Sequence, residues 1–182
     1  MDKHTLSLLN KLQKTSKTFW NISPETGKFL YQLILDRKIK TALEIGTSNG
    51  YSGLYLASAL KKTGGHLTTI ESHKERHDLA TKNFQQAKLT QYITQILGHA
   101  PEDLPRTNQK FDLLFFDATK YEHLSYLETL KPKLKNGSFI ITDNILSHQK
   151  ELASYTKALQ ADKSFLSHLL NIDSGLLFSF QS

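Results

Sequence analysis

The chain contains no cysteine. That excludes disulfides, thiolate zinc sites and a cysteine nucleophile, although it does not by itself fix the compartment. No apolar run approaches the roughly 20 residues of a membrane span, so no membrane partner is expected. The leading residues are polar, with Lys3, His4 and Lys11 and no apolar stretch of a secretory signal, which makes the cytoplasm the default location. No internal repeat, low-complexity tract or linker is visible. What remains is a chain of 182 residues, 38% hydrophobic and 22% charged. These values suit one soluble domain, 1–182, with a large core.

The formal charge is +6 and unevenly spread. Residues 1–40 carry eight Lys/Arg against three Asp/Glu, and the rest carry fifteen against fourteen. A basic, helical leading segment is one way to meet an acidic partner such as RNA. The plainer reading is a solvated helix face, because Lys11, Lys14 and Lys17 recur every third residue.

Periodicity predicts a leading helix over 2–17 and a second from Ser23-Pro24-Glu25 to about Arg37, begun by a Ser cap and a Pro at the first helical position. Strand Thr41–Ile45 follows, then helix 50–62, strand His66–Glu71, helix His73–Ala87 and strand Tyr92–Leu97. Pro101–Leu104 reads as the start of a short helix. Phe111–Phe116 is the nearly continuous apolar run of a strand covered on both faces. Helix Tyr121–Leu130, a turn at Lys135-Asn136-Gly137, strand Ser138–Thr142 and helix His148–Gln160 come next. Phe165–Asn171 and Gly175–Phe180 read as a hairpin. Five alternations of strand and helix argue a doubly wound parallel sheet with helices on both faces.

In such a sheet, ligands bind beyond the carboxyl ends of the strands. Those ends here are Glu44 and Gly46, Glu71, Gly98-His99-Ala100, Asp117 and Asp143-Asn144. Acids therefore gather at one rim. A dinucleotide loop needs Gly-x-Gly-x-x-Gly and a place for pyrophosphate. This turn, Glu44-Ile45-Gly46-Thr47-Ser48-Asn49-Gly50, puts a carboxylate where the first glycine would stand. An acid repels phosphate and suits a cationic ligand, and S-adenosylmethionine carries an ammonium and a sulfonium without phosphate. Glu71 lies 21 residues after Gly50, at the place of an acid that binds ribose hydroxyls. Asp117, Asp143 and Asn144 are hard oxygen donors suited to a divalent cation such as Mg²⁺, although an Asp before a helix is also a common cap. Lys120, near a helix start, loses basicity if desolvated and can then serve as a general base. An ordinary surface lysine is the alternative.

Three segments in order, Glu-Ile-Gly-Thr-Ser-Asn-Gly-Tyr-Ser at 44–52, Asp-Ala-Thr-Lys at 117–120 and Asp-Asn at 143–144, resemble the metal-dependent class I O-methyltransferases of the caffeoyl-CoA and catechol type (O-methyltransferase family 3). Residues 23–30 look like that family's segment before the first strand, and Asp173–Leu177 is similar to its closing segment. The resemblance implies a Rossmann-like α/β sandwich with a mostly parallel seven-stranded sheet and an antiparallel C-terminal hairpin strand. It implies that Glu44, Gly46, Thr47 and Ser52 hold the methionine part of S-adenosylmethionine, with Asp117 beside them. Glu71 and Ser72 would hold the ribose, and His99 and Ala100 would flank the adenine. Asp117, Asp143 and Asn144 would bind the metal, with Lys120 as the base. The acceptor implied is a small hydroxyl compound.

Only Ile145-Leu146-Ser147 separates Asp143-Asn144 from the next expected helix, so much of the lid over the acceptor is absent from the pattern. Trp20 and Tyr121 are the aromatic candidates for the acceptor pocket. Three readings stay open at this point: a small catechol-like acceptor, a hydroxylated RNA base, and a nucleotide-binding Rossmann module outside methyl transfer. A second copy of the chain, forming a homodimer, is a further way to complete the site.

Overall fold

The computed structural model describes residues 1–104 and 109–182. Seven strands form one sheet: β1 (Thr41–Ile45), β2 (His66–Glu71), β3 (Ile93–Leu97), β4 (Phe111–Phe116), β5 (Leu134–Thr142), β6 (Phe165–Leu170) and β7 (Leu176–Gln181). Their spatial order is β3-β2-β1-β4-β5-β7-β6. The first five run parallel, and β7 pairs antiparallel with both β5 and β6. The order reverses at β1, whose outer neighbours are β2 and β4. That is the topological switch point at which open α/β sheets bind ligands.

Among the described residues, seven α-helices accompany the sheet: α1 (Lys3–Gln13), α2 (Ser16–Phe19), α3 (Pro24–Asp36), α4 (Tyr51–Thr63), α5 (Lys74–Gln86), α6 (His123–Leu130) and α7 (Ala153–Ala161). One core lies under α1, α3, α4 and α5, around Leu9, Leu30, Ile34, Leu54 and Leu60. The other lies under α6 and α7, around Leu43, Leu114, Phe116, Tyr126 and Tyr155. Strand β4 feeds both. Leu113 and Phe115 face the first core, Leu114 and Phe116 the second, and all four are sealed from solvent. Each such side chain contributes about 1.5–3 kcal/mol by leaving water. This explains the unbroken apolar run in the sequence.

Helix α3 starts as its sequence requires: Ser23 accepts from the Thr26 amide at 3.1 Å, and Pro24 opens the first turn. Four expectations need correction. The leading helix is broken, because Thr15 Oγ1 and Asn21 Nδ2 both donate to the Leu12 carbonyl and end α1 early. Residues 101–104 form a turn, in which the Asp103 amide donates to the His99 carbonyl and the Leu104 amide to the Pro101 carbonyl, and the continuation of the expected helix lies outside the described residues. Lys135-Asn136-Gly137 is a bulge inside β5. Leu134 stands opposite Phe111 and Phe139 opposite Leu113, and Gly137 takes φ +77°. The helix expected from His148 begins only at Ala153. Before it, the amides of Ile145 and Leu146 bond the carbonyls of Gly175 and Ser174, which ties residues 145–152 to the hairpin loop.

Helices α3 and α4 meet at Gly27. A Cβ there would lie 2.4 Å from the Tyr55 ring. Gly27→Ala is expected to cost about 1–3 kcal/mol through overpacking. The reading is a lower urea midpoint at unchanged slope; an unchanged midpoint would show that Tyr55 moves aside freely.

Candidate active site

The carboxyl ends of β1, β2, β4 and β5 open on a cleft of about 420 Å³. Its floor is the turn from β1 into α4. Gly46 has φ +102°, and a Cβ on it would come 2.5 Å from the Asp117 carbonyl oxygen. Only glycine permits this approach of the first and fourth strand ends. Gly50, at φ +85°, starts α4 and presses on Phe84 in the same way.

Glu44 does not line this cleft. Its carboxylate is wholly buried beneath the turn, where it accepts from Ser52 Oγ at 2.5 Å and from Thr69 Oγ1 at 2.6 Å. Thr47 Oγ1 in turn lies 2.5 Å from Thr69 Oγ1. The acid therefore links β1, β2, the turn and the first turn of α4. Burial pushes its pKa up to about 7, against the opposing effect of the two hydroxyl donors. Glu44 is next to last in β1 and turns its side chain beneath the loop; among the residues expected at the donor, its carboxylate is covered by the turn and not open to the cleft.

The remaining expected donor-site residues gather at the cleft wall: Gly46, Thr47, Ser52, Glu71, Ser72 and Asp117, with His99 and Ala100 opposite. Glu71 Oε2 accepts from the Ser48 amide at 2.8 Å and Oε1 from the His73 amide at 2.9 Å. Both oxygens retain lone pairs. His99 sits 3.1 Å from Glu122, and its own backbone amide is taken by Asp103.

A second polar group extends from the same Asp117. Lys120 Nζ donates to Asp117 Oδ1 at 2.8 Å, and both side chains are only 13–15% exposed. Asp143 is 1% exposed. Its side-chain hydrogen bonds are long, 3.4 Å from Ser174 Oγ and 3.5 Å from Asn144 Nδ2. Burial, reinforced by the charge of Asp117, raises its pKa to about 7. Asn144, at φ +66°, gives its amide hydrogen to Ser174 Oγ at 2.9 Å, which leaves the amide oxygen to act as a donor. Two carboxylates that repel each other, one of them poorly satisfied, and an amide oxygen form a set that a divalent cation would relieve. The residues present fit such an ion. Among the described residues no cluster of three or more His, Cys, Asp or Glu gathers, so the set depends on the Asn.

Behind Lys120, His123 is enclosed by the rings of Phe116, Tyr126 and Tyr155. Burial and the neighbouring Lys120 push its pKa down to about 3, so the ring is neutral.

Some cleft residues carried no motif. Phe19, Trp20, Asn21 and Ile22 form a strap over the mouth, and Arg76 and His148 complete it. Ser48 Oγ holds the strap through the Phe19 carbonyl at 2.9 Å, and the Arg76 guanidinium lies 4.8 Å from the Trp20 ring centroid. Trp20, named from sequence as an aromatic of the acceptor pocket, does line the cleft. Tyr121 does not, and is 78% exposed.

The sequence matches the model of a family described as O-methyltransferase over residues 2–174. It is 32% identical over 155 residues to a catechol O-methyltransferase of Niastella koreensis, covering 83% of this chain and 70% of that one. A catechol O-methyltransferase of Mycobacterium tuberculosis is 30% identical over 126 residues, covering 69% and 57%. The chain thus spans little more than half the length of some curated relatives. Among solved structures, the O-methyltransferase from Bacillus cereus in complex with SAH superposes with a TM-score of 0.87 at 24% identity, covering 100% of this chain and 92% of that one. The fold is that of the class I O-methyltransferases.

The buried acid makes stability depend on pH. Glu44 binds a proton more tightly folded than unfolded, so its contribution is greatest below about pH 4.5 and falls as pH rises through about 7. Glu44→Gln is expected to remove that fall, a relative gain at pH 8 of up to about 3 kcal/mol. Thermal midpoints of the ligand-free protein from pH 5 to 8 check it; parallel curves for the two proteins would contradict the assignment.

Proposed function

We propose a function from one premise: the chain belongs to the O-methyltransferase family, whose model matches residues 2–174. The reaction class is transfer of a methyl group from S-adenosylmethionine to a hydroxyl oxygen. The acceptor is a small catechol-like compound, and a divalent ion such as Mg²⁺ assists. Residues 1–182 act as one domain. No helix among the described residues is long and apolar enough to cross a membrane.

The single observation that carries the reading is the Asp117–Lys120 pair at 2.8 Å, lining one cleft with Asn144 and the turn at Gly46, with the buried Asp143 close enough for the charge of Asp117 to raise its pKa. In this assignment the turn from Gly46 to Ser52 receives the methionine end of the donor. Glu71 and Ser72 take the ribose hydroxyls, and His99 and Ala100 flank the adenine. Acids at the rim attract a ligand with a net positive sulfonium half, which a pyrophosphate cofactor lacks.

Asp117, Asp143 and Asn144 would hold the ion, which supplies positive charge that acidifies a chelated hydroxyl. Lys120 takes the hydroxyl proton on its Nζ when neutral and passes it to solvent. The largely buried Asp117–Lys120 pair keeps that nitrogen beside the acceptor position. The strap at Trp20 limits water access to the reacting atoms and offers a ring face to an aromatic acceptor.

Lys120→Met is expected to lower kcat by about 10²–10⁴-fold, with donor affinity retained. Titration calorimetry with S-adenosylmethionine, with and without Mg²⁺, followed by a catechol assay, tests the whole assignment. Undiminished catechol methylation by Asp143→Ala would remove the metal role. Thermal stabilisation by NAD without any by S-adenosylmethionine would overturn the donor site.

A further inference from the structure

The two ends of the parallel sheet carry opposite charge. Glu44, Glu71, Asp117 and Asp143 stand where strands end. Lysines and arginine stand where they begin. Because β1 to β5 are parallel, every loop that leads into one of them reaches the same face, opposite the cleft. Arg37, Lys38 and Lys40 lead into β1, Lys110 into β4 and Lys133 into β5, and Lys135 sits at the start of β5 itself. The sequence separates these residues by up to a hundred positions, and the topology brings them together.

Their proximity is visible in direct contacts. Lys135 reaches across to Asp112 at 2.8 Å and to Thr41 Oγ1 at 3.0 Å. Lys40 bonds the Thr63 carbonyl, and Lys110 the Pro132 carbonyl. A recess of about 340 Å³ opens among them, bounded by Arg37, Lys38, Lys40, Asp112, Phe139 and Phe180. The acids nearby are engaged. Asp112 accepts from Lys135 and from the amides of Lys40 and Thr41, which holds its pKa below the usual carboxylate range. Asp162 is paired with Lys131, and Asp36 accepts from Gln32. Arg37 and Lys38 are exposed. The Arg37 guanidinium lies 5.7 Å from the Phe139 ring centroid.

We propose that this face is a docking surface for the phosphodiester backbone of a single-stranded nucleic acid. The charge spreads over the beginnings of three strands, which suits an extended polyanion better than one small anion. The large exposed apolar side chains lie elsewhere: at Leu6 of α1, at Trp20 and Leu146 near the cleft, and on edge strands β3 and β6. A bilayer therefore finds no wedge here. The recess is walled by the exposed Arg37 guanidinium and the partly exposed Phe180, with Phe139 buried beneath them, so an unpaired base can lie against the guanidinium plane, which a duplex cannot use. The strand is held away from the acidic cleft, so it is an anchor and not the methyl acceptor. The inference does not rest on the methyl-transfer reading.

Fluorescence anisotropy of a labelled oligouridylate strand across a salt series tests it. Binding is expected, with affinity falling linearly on a log–log plot against salt. Arg37→Glu/Lys38→Glu is expected to weaken it about tenfold or more, with catechol methylation unchanged and the thermal midpoint lowered only slightly, by loss of the Arg37–Phe139 contact. Lys38→Gln, one charge removed from an exposed loop, keeps the test readable if the double variant misfolds; the salt slope should become shallower by about 0.7. Absence of binding, or binding insensitive to salt or to these variants, overturns the proposal. So does loss of binding in Lys14→Glu/Lys17→Glu alone, which would move the surface to the leading helices. Binding to phosphatidylglycerol vesicles without binding to the strand would assign the face to a lipid headgroup and equally overturn it.

Discussion

A carboxylate cut off from water sits under the cofactor-type turn, and the rest of the site depends on it. Glu44 bonds Ser52 on one side and Thr69 on the other. A buried acid without partners would be expelled or neutralised. With two hydroxyls it becomes a clamp between the central strand, its neighbour and the first turn of α4. The turn above can then be made almost wholly of backbone. Its amides, its glycines and the helix start face the cleft because the side chain below holds the strands in register.

The same logic explains why the rim is acidic. Parallel strands deliver their ends to one place, and the sheet holds those ends a few ångströms apart. Burial, with the charge of Asp117 added to it, pushes Asp143 toward neutrality. Lys120 compensates one carboxylate. What is left is a concentration of negative charge that favours cations, whether a metal or a sulfonium. At the opposite end of the strands the sign is reversed, so the molecule is polarised along the strand direction.

Much of this was readable from residues. Strand β1, strand β2 and strand β4 lie where apolar runs and turn residues place them, since burial on both faces leaves little freedom in composition. The hairpin of β6 and β7 followed from the turn at Ile172-Asp173-Ser174. Strand ends also gave the cleft residues, from Gly46 to Asn144. What was not readable has one cause: long-range hydrogen bonds that override local preference. Residues 148–152 have helical character, yet the preceding amides are taken by the hairpin loop. Asn21 ends a helix nine residues earlier by reaching its carbonyl. Glu44 was legible as an acid at the turn, but its place beneath the loop was not, because alternation of sides along a strand decides where a side chain points and the motif alone does not reveal it. The Trp20–Arg76 stack had no signal at all, as it joins two segments with no common pattern.

The crowding at Gly46 and Gly50 has a consequence for how this scaffold can change. At both positions any larger residue meets backbone or a core ring. The half of the cleft floored by this turn is thus closed to innovation: few codons there leave a working turn. The other half is bounded by the strap at 19–22 and the loop 145–152, neither a regular strand nor a continuous long helix. A lineage, or an engineer, seeking to reshape the cleft would find nearly all its usable variation in those two segments, while the floor stays the same.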